Sequence, residues 1–471
     1  MAFNSLIFLI FFAVVLGLHN LPLAWRAKKL NLLLASYVFY AAWNPPFILL
    51  LWISTATDWF ASRRIAVSTG HTKRLYLLLS ILVNLGMLGY FKYGAFIEEN
   101  FAALLQLFGV AYSGGESNII LPLGISFYTF QSMSYTLDIY RGKQHPCKSW
   151  LDFSLYVSFF PQLVAGPILR AGFFLQQLAD DYRERITQFG WGFALITVGM
   201  FEKVVLADGL LAPVVEKVYA ESALANGVDS WIGTMAFAGQ IFFDFNGYSV
   251  IAVGLGCCLG FNLPWNFLSP YAAIGFADFW RRWHITLSTW LRDYLYIPLS
   301  GNRVSTLRTF INLMLTMLIG GLWHGASWLF VLWGGVHGTL LVGERLLRNR
   351  FGGSPILQGH TATFLLGLVT WLIICLTWVL FRAESPAAAA HLLGAMLSLQ
   401  GGESIVSTKE ILQVALVIAA LLAAHGFMRD RDFEQTARSL SWPLAGLILA
   451  AMLLAILLSP GEERAFIYFE F

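Results

Sequence analysis

Charge is scarce in this chain. Only 12% of its 471 residues are Asp, Glu, Lys or Arg, about half the share in a soluble globular domain. The apolar share is 58%, more than a water-soluble fold can hide, so a bilayer must be the solvent for much of the surface. Cysteine is nearly absent. The four that occur, Cys147, Cys257, Cys258 and Cys375, show no CxxC spacing of the metal-binding or redox kind. Neither a disulfide nor a metal site is expected. The net charge of +3 gives no reason to invoke nucleic acid. Long polar stretches are missing too: residues 68–74, 176–188 and 401–409 are the main ones. A soluble domain is therefore excluded, and no internal repeat is visible.

What the chain does have is apolar runs of bilayer length, separated by small basic clusters. The first run, from residue 1 to about 25, lacks the positive n-region and the small-residue cleavage site of a secretory signal. It reads as an uncleaved span. Arg26, Lys28 and Lys29 follow it, then Arg63, Arg64, Lys73 and Arg74, then Arg141, Lys143 and Lys148. The positive-inside rule puts these loops in the cytoplasm and the N-terminus outside. The acidic pair Glu98 and Glu99 falls outside. Read backwards from Arg429, Arg431 and Arg438, the same rule puts the C-terminus outside. An even number of crossings must then lie between residues 141 and 350.

Residues 153–168 are apolar but broken by Pro161, Gly166 and Pro167. They read as a re-entrant or interfacial piece, allowed only where protein buries the backbone. Glu202 and Lys203 read as interfacial side chains that snorkel to the headgroups. The expected fold class is all-α: a polytopic integral membrane protein with ten to twelve transmembrane helices plus re-entrant or interfacial helices. Residues 1–471 form a single domain in this reading.

The chemistry is concentrated in residues 276–344. The opening text, FADFWRRWHITLSTWLRDYLYIPLSGNR, sets Arg281, Arg282 and Arg292 among tryptophans. Two readings fit: an interfacial helix with aromatic anchors, or a cationic mouth for the phosphates of an acyl carrier. Further on, His324 stands in an apolar run with no charge beside it, and an ionisable residue in such a segment marks a functional site by default. The run before it, residues 309–319, reaches only about 16 Å as a helix. That is short of a hydrocarbon core of about 30 Å. The break at residues 320–325 is therefore expected inside the membrane, with Gly320, Gly321 and Gly325 leaving room beside the histidine. A packing role for His324 fits the same text, and His337 and His19 have similar apolar surroundings.

The stretches LPLGISFYTFQSMSY, SFFPQLVAGPILR, QIFFDFNGYS, NLMLTMLIGGLWHGASW and the closing FIYFEF, together with the arginine-rich passage, resemble the membrane-bound O-acyltransferases, and among them the bacterial alginate O-acetyltransferase branch. The resemblance spans nearly the whole chain. It implies His324, in GGLWHGASW, as the central catalytic histidine and His284, in RRWHITLS, as the second. Relatives often carry an acid where this chain has Val250, so no role passes to that position.

The resemblance further implies acetyl-CoA as a cytoplasmic donor, with no permanently bound cofactor. It implies an exopolysaccharide as acceptor, alginate or else bacterial cellulose, and a periplasmic or membrane-anchored polysaccharide acetyltransferase as partner. The inner membrane is the expected location, with membrane lipids around the chain. A neutral histidine suits either general-base catalysis on an acceptor hydroxyl or direct acyl transfer. A transporter component or a non-catalytic scaffold of a secretion complex is the other functional class. A transporter predicts inverted repeats and charged midplane pairs, and neither is visible.

Overall fold

Apolar runs punctuated by Gly, Pro and hydroxyl caps fold here into helices alone. The computed structural model describes the chain apart from residues 2, 111, 113–118, 180–186, 353–358, 460–463 and 468–471, and the described residues contain no strand. The helix is the element that satisfies every backbone group within its own segment, as lipid requires. Five helices are long and apolar enough to cross a membrane: Gly70–Leu107, Gly227–Cys258, Thr306–His324, His360–Arg382 and Thr408–Met428. Leu6–Asn20, Pro386–Ser398 and Trp442–Leu458 are shorter and apolar. Large aliphatic side chains such as Leu75, Leu416, Leu447 and Leu457 point outward, as they do on a lipid-facing surface. The all-α membrane class expected from composition is the observed one.

The chain divides into two compact units, Met1–Phe193 with Ala252–Pro264, and Ala194–Ile251 with Trp265–Phe471. In the first, Arg26, Lys28 and Lys29 do not form a loop. They lie in the opening turns of the helix Trp25–Ala41. Lys29 is buried, with its Nζ 2.7 Å from Asp152 and donating to the Leu178 carbonyl at 3.2 Å. Glu98 and Glu99 likewise sit within a helix, Gly70–Leu107. Residues 153–169 are buried throughout, as the helix Trp150–Ser158, a break at Phe159 and the short helix Phe160–Leu163. This is the protein-buried broken segment that its Pro and Gly content called for. Only part of the polar loop at 176–188 lies within the described residues.

The second unit carries the sequence-predicted site. Its helix beginning at Phe189 continues as a π-helix over Phe201–Leu211. Lys203 does not snorkel. Its ammonium is buried between Asp208 at 2.8 Å and Asp244 at 2.5 Å. A buried ammonium is tolerable only with such partners, and the wide π-turn sets Lys203 and Asp208 facing each other. Glu202 accepts from Asn246 Nδ2 at 2.7 Å. Asp244 also accepts the Ile467 N–H at 2.7 Å, and Phe466 packs on Phe245 and Tyr248. The start of the closing FIYFEF is thus docked in this unit, and residues 468–471 lie outside the described chain.

Candidate active site

The helix Thr306–His324 starts on the Ser305 hydroxyl, which accepts the Arg308 N–H at 3.4 Å, and ends on the histidine itself. It does not break at Gly320 and Gly321. Nineteen residues reach about 28 Å, close to a hydrocarbon core, so the short first piece expected from the glycines is not what forms. A glycine inside a helix costs only about 1 kcal/mol, and here the cost is offset by packing. A Cβ at Gly321 would run into the Phe330 carbonyl, and one at Gly334 into the Met317 carbonyl. These two glycines let the helix Trp328–Phe351 lie backbone to backbone against Thr306–His324, the small-residue contact of membrane helices. The turn follows the histidine, at residues 325–327. A Cβ at Gly325 would meet the Phe330 ring, so the glycines do not leave room beside His324; they bring neighbours close.

His324 is buried at this turn. Its ring meets Trp323, Trp333 and Phe381 with centroids at 5.1, 5.2 and 5.2 Å. His284 is buried as well, between the helices Phe276–Arg282 and Ile285–Leu291. Its backbone is left-handed, φ 42° and ψ 56°, a region that non-glycine residues occupy rarely and at a cost. A clamp from residues 266–268 holds it there. The Ile285 N–H donates to the Asn266 carbonyl at 2.9 Å, and the Leu268 N–H donates to the Arg282 carbonyl at 3.0 Å. The Thr286 hydroxyl donates to Asn266 Oδ1 at 2.6 Å, and Asn266 Nδ2 donates to Ser249 at 2.9 Å. The His284 ring packs edge-on to Phe245 at 4.6 Å and lies 5.9 Å from the Trp323 indole. The structure thus brings both sequence-predicted histidines to one tryptophan.

His337 differs from them, although composition does not separate it. Its Nδ1 accepts from Trp280 Nε1 at 3.3 Å, and its Nε2 is 3.1 Å from the Thr377 hydroxyl. That hydroxyl donates to the Ile374 carbonyl at 2.8 Å, so it receives the proton of His337 Nε2. Both ring nitrogens serve to join three helices.

The three arginines separate as well. Arg282 is committed: it donates to Asp278 at 3.1 Å, to the Leu268 carbonyl at 3.3 Å and to the Arg429 carbonyl at 2.8 Å. Asp278 also takes Arg429 at 3.1 Å. Partial burial works to raise the Asp278 carboxyl, but the Ile274 N–H and the guanidiniums of Arg282 and Arg429 outweigh it and hold the group below the ordinary aspartate value. Arg281 is 64% exposed, 3.6 Å from Asp278, and Arg292 is 59% exposed, bonded to Asp293 at 2.8 Å.

Arg281 and Arg282 open onto a groove of about 1050 Å³; Arg292 is not among its lining residues. The groove is walled by apolar side chains such as Phe201, Phe243, Leu416, Ala420 and Leu421, and Val250 lines it too. Sequence reading passed over His425, which lines the same groove, and Trp323, which joins the two histidines. His425 carries the same signal as His324, an ionisable ring in an apolar run, whereas Trp323 carries none. Among the described residues, no three His, Cys, Asp or Glu side chains gather as a metal would require.

Two buried, aromatic-walled imidazoles at a helix break, beside an arginine-bearing helix, suit proton transfer to and from a reacting hydroxyl. Comparisons with known proteins identify the family. Residues 147–385 match the model of the MBOAT, membrane-bound O-acyltransferase family. A probable alginate O-acetylase AlgI of Azotobacter vinelandii is 41% identical over 90% of this chain and 83% of its own length. Another so described, from Pseudomonas putida, is 38% identical over the full length of both chains. A peptidoglycan O-acetyltransferase of Helicobacter pylori is 36% identical over 85% of this chain and 80% of its own. This chain is thus a multi-pass membrane acyltransferase, and it belongs to the membrane-bound O-acyltransferase family.

Proposed function

We propose that the protein takes acetyl from acetyl-CoA on the cytoplasmic side of a bacterial inner membrane and passes it outward for O-acetylation of an exopolysaccharide. Alginate is the acceptor favoured by the relatives' names, with bacterial cellulose next. A periplasmic or membrane-anchored acetyltransferase completes the transfer, and both termini of this chain are periplasmic. The observation that carries the reading is the meeting of His324 and His284 at Trp323 in a chain so similar to proteins described as O-acetylases.

The residues divide the work as follows. His324, neutral, takes the proton of an acceptor hydroxyl as its oxygen attacks the thioester carbonyl. The C–S bond breaks, and the proton passes on to the departing thiolate, which leaves as free CoA. His284 positions donor or acceptor. Arg292, the exposed guanidinium that does not line the groove, meets the donor's phosphates. Arg282, already bonded to Asp278 and two carbonyls, holds its own helix, which also carries Arg281, in place.

The test is bound acetate on the secreted polymer in cells whose copy is replaced by His324→Ala, His324→Gln or His284→Ala, with the protein level in the membrane measured alongside. Loss of a general base lowers the rate about 10²–10⁴-fold. Both His324 variants should therefore bring acetylation to background while the glutamine protein remains in the membrane. His284→Ala should fall between these and the wild type. Normal acetylation with both His324 variants would overturn the catalytic assignment and favour a scaffold.

A further inference from the structure

We propose that the groove beneath Arg281 and Arg282 is a binding site for one zwitterionic phospholipid, distinct from the acetyl donor. Its head group lies on the charged rim, and an acyl chain lies along the helix Thr408–Met428.

Length is the first argument. The apolar wall follows this helix from Met428 to Leu416, about 18 Å at 1.5 Å per residue. The chains of one leaflet fill half of a hydrocarbon core of about 30 Å, a close match. The helix is itself long and apolar enough to cross a membrane, and Leu416 is exposed, so a lipid chain enters sideways without passing through water.

Charge is the second. The lining carries four arginines and five carboxylates, one of which, Glu202, is bonded to Asn246. Asp278 lies 3.1 Å and Asp430 3.7 Å from both Arg282 and Arg429. Arg281 remains on the outside at 64% exposure, and Asp430 at 81%. Arg431 is exposed as well, its guanidinium over the Phe427 ring at 3.7 Å. A rim that carries both signs does not select an anion. It complements a head group that itself carries a phosphate and an ammonium.

The third is a polar side chain at the right depth. His425 lines the groove, and its Nδ1 accepts the Tyr271 N–H at 3.2 Å. In the neutral ring the proton then sits on Nε2, which is a donor. His425 lies one helical turn, about 6 Å, below Arg429. A phospholipid carries its glycerol ester carbonyls just below the phosphate, where that donor finds an acceptor. A CoA thioester fits less well, because its several phosphates, all of one sign, meet a rim that carries both.

Native mass spectrometry of the purified full chain tests the proposal. The protein is delipidated and then exposed to vesicles of phosphatidylethanolamine, of phosphatidylglycerol, or to free CoA. The wild type should retain one phosphatidylethanolamine, prefer it to phosphatidylglycerol, and keep it in the presence of CoA. The double variant Ala420→Trp/Ala424→Trp, which fills the groove from two exposed positions, should lose it. Retention by that variant, equal retention of phosphatidylglycerol, or displacement by CoA would each overturn the proposal. If the tryptophans prevent folding, Arg431→Glu on the exposed rim decides instead: it should lower retention, and unchanged retention sinks the idea.

Discussion

His284 and His324 share one indole: the Trp323 ring centroid is 5.9 Å from the first and 5.1 Å from the second. They reach it by different means. His324 is brought by a regular helix end, His284 by a left-handed residue clamped to Asn266. Their separation is therefore fixed by packing and by backbone, with Trp323 between.

The glycine pair beneath them gives a sharp prediction. Gly321→Ala should destabilise the protein by about 1–3 kcal/mol, the usual cost of overpacking, because the new Cβ meets the backbone carbonyl of Phe330. Gly320→Ala is the contrast. Its Cβ would meet only the end of the Leu291 side chain, at 3.1 Å, which can turn aside. Thermal unfolding in detergent should show a lower midpoint for the first variant and little change for the second.

Lys203→Met removes the cation between Asp208 and Asp244. Breaking a buried ion pair from one side typically costs about 3–5 kcal/mol. The variant should show sharply reduced membrane levels, and Lys203→Arg should restore them only in part, since the planar fork does not replace a point charge. A wild-type level of Lys203→Met would return this residue to the interfacial role first read for it.

Arg282→Ala and Arg292→Ala should part company. Arg282 ties its helix to Asp278 and to two carbonyls, so its loss should lower stability as well as activity. Arg292 bonds to Asp293 at an exposed position, and an exposed pair contributes about 0–1 kcal/mol. Its loss should leave the melting midpoint in place and raise KM for acetyl-CoA. An unchanged KM would remove Arg292 from the donor site.

The rim should be resistant to mild acid. Asp278 has a folded-state pKa below its ordinary value of 3.8. Its contribution is therefore complete above that value and falls away as the pH drops through the folded one. Hydrogen-exchange protection over residues 268–282, taken relative to the intrinsic rate at each pH, should be the same at pH 7 and pH 5 and fall only below pH 3.8. A loss of protection already at pH 5 would mean that Asp278 is not held ionised by Arg282 and Arg429.

Much of the architecture is legible because lipid leaves the backbone few options. The buried break at Phe159 could be read from Pro161, Gly166 and Pro167, and His324 from its isolation in an apolar run. The misreadings share one cause: local text shows a charge but not its partner. Lys203 looked interfacial because Asp244 lies on another helix, and Arg26 to Lys29 looked like a loop because Asp152 and Leu178, which receive Lys29, are far along the chain. The glycines beside His324 suggested open space because sequence reports the missing side chain and not the backbone that fills its place. His425 stands in an apolar run as His324 does and was passed over, and its partner Tyr271, 154 residues away, is not visible in the local text.

The bond that the Ile467 N–H donates to Asp244 spans 223 residues, and the one that Lys203 donates to the Ala465 carbonyl spans 262. The clamp on His284, by contrast, closes within one short stretch of chain. During synthesis the histidine's pocket can take shape long before the ion cluster has its last partners. Until residue 467 has been made, Asp244 lacks one of the groups that neutralise it in the interior. A nascent or truncated chain therefore carries an incompletely satisfied charge in a helix otherwise ready to bury, which is the kind of defect that membrane quality-control proteases act on.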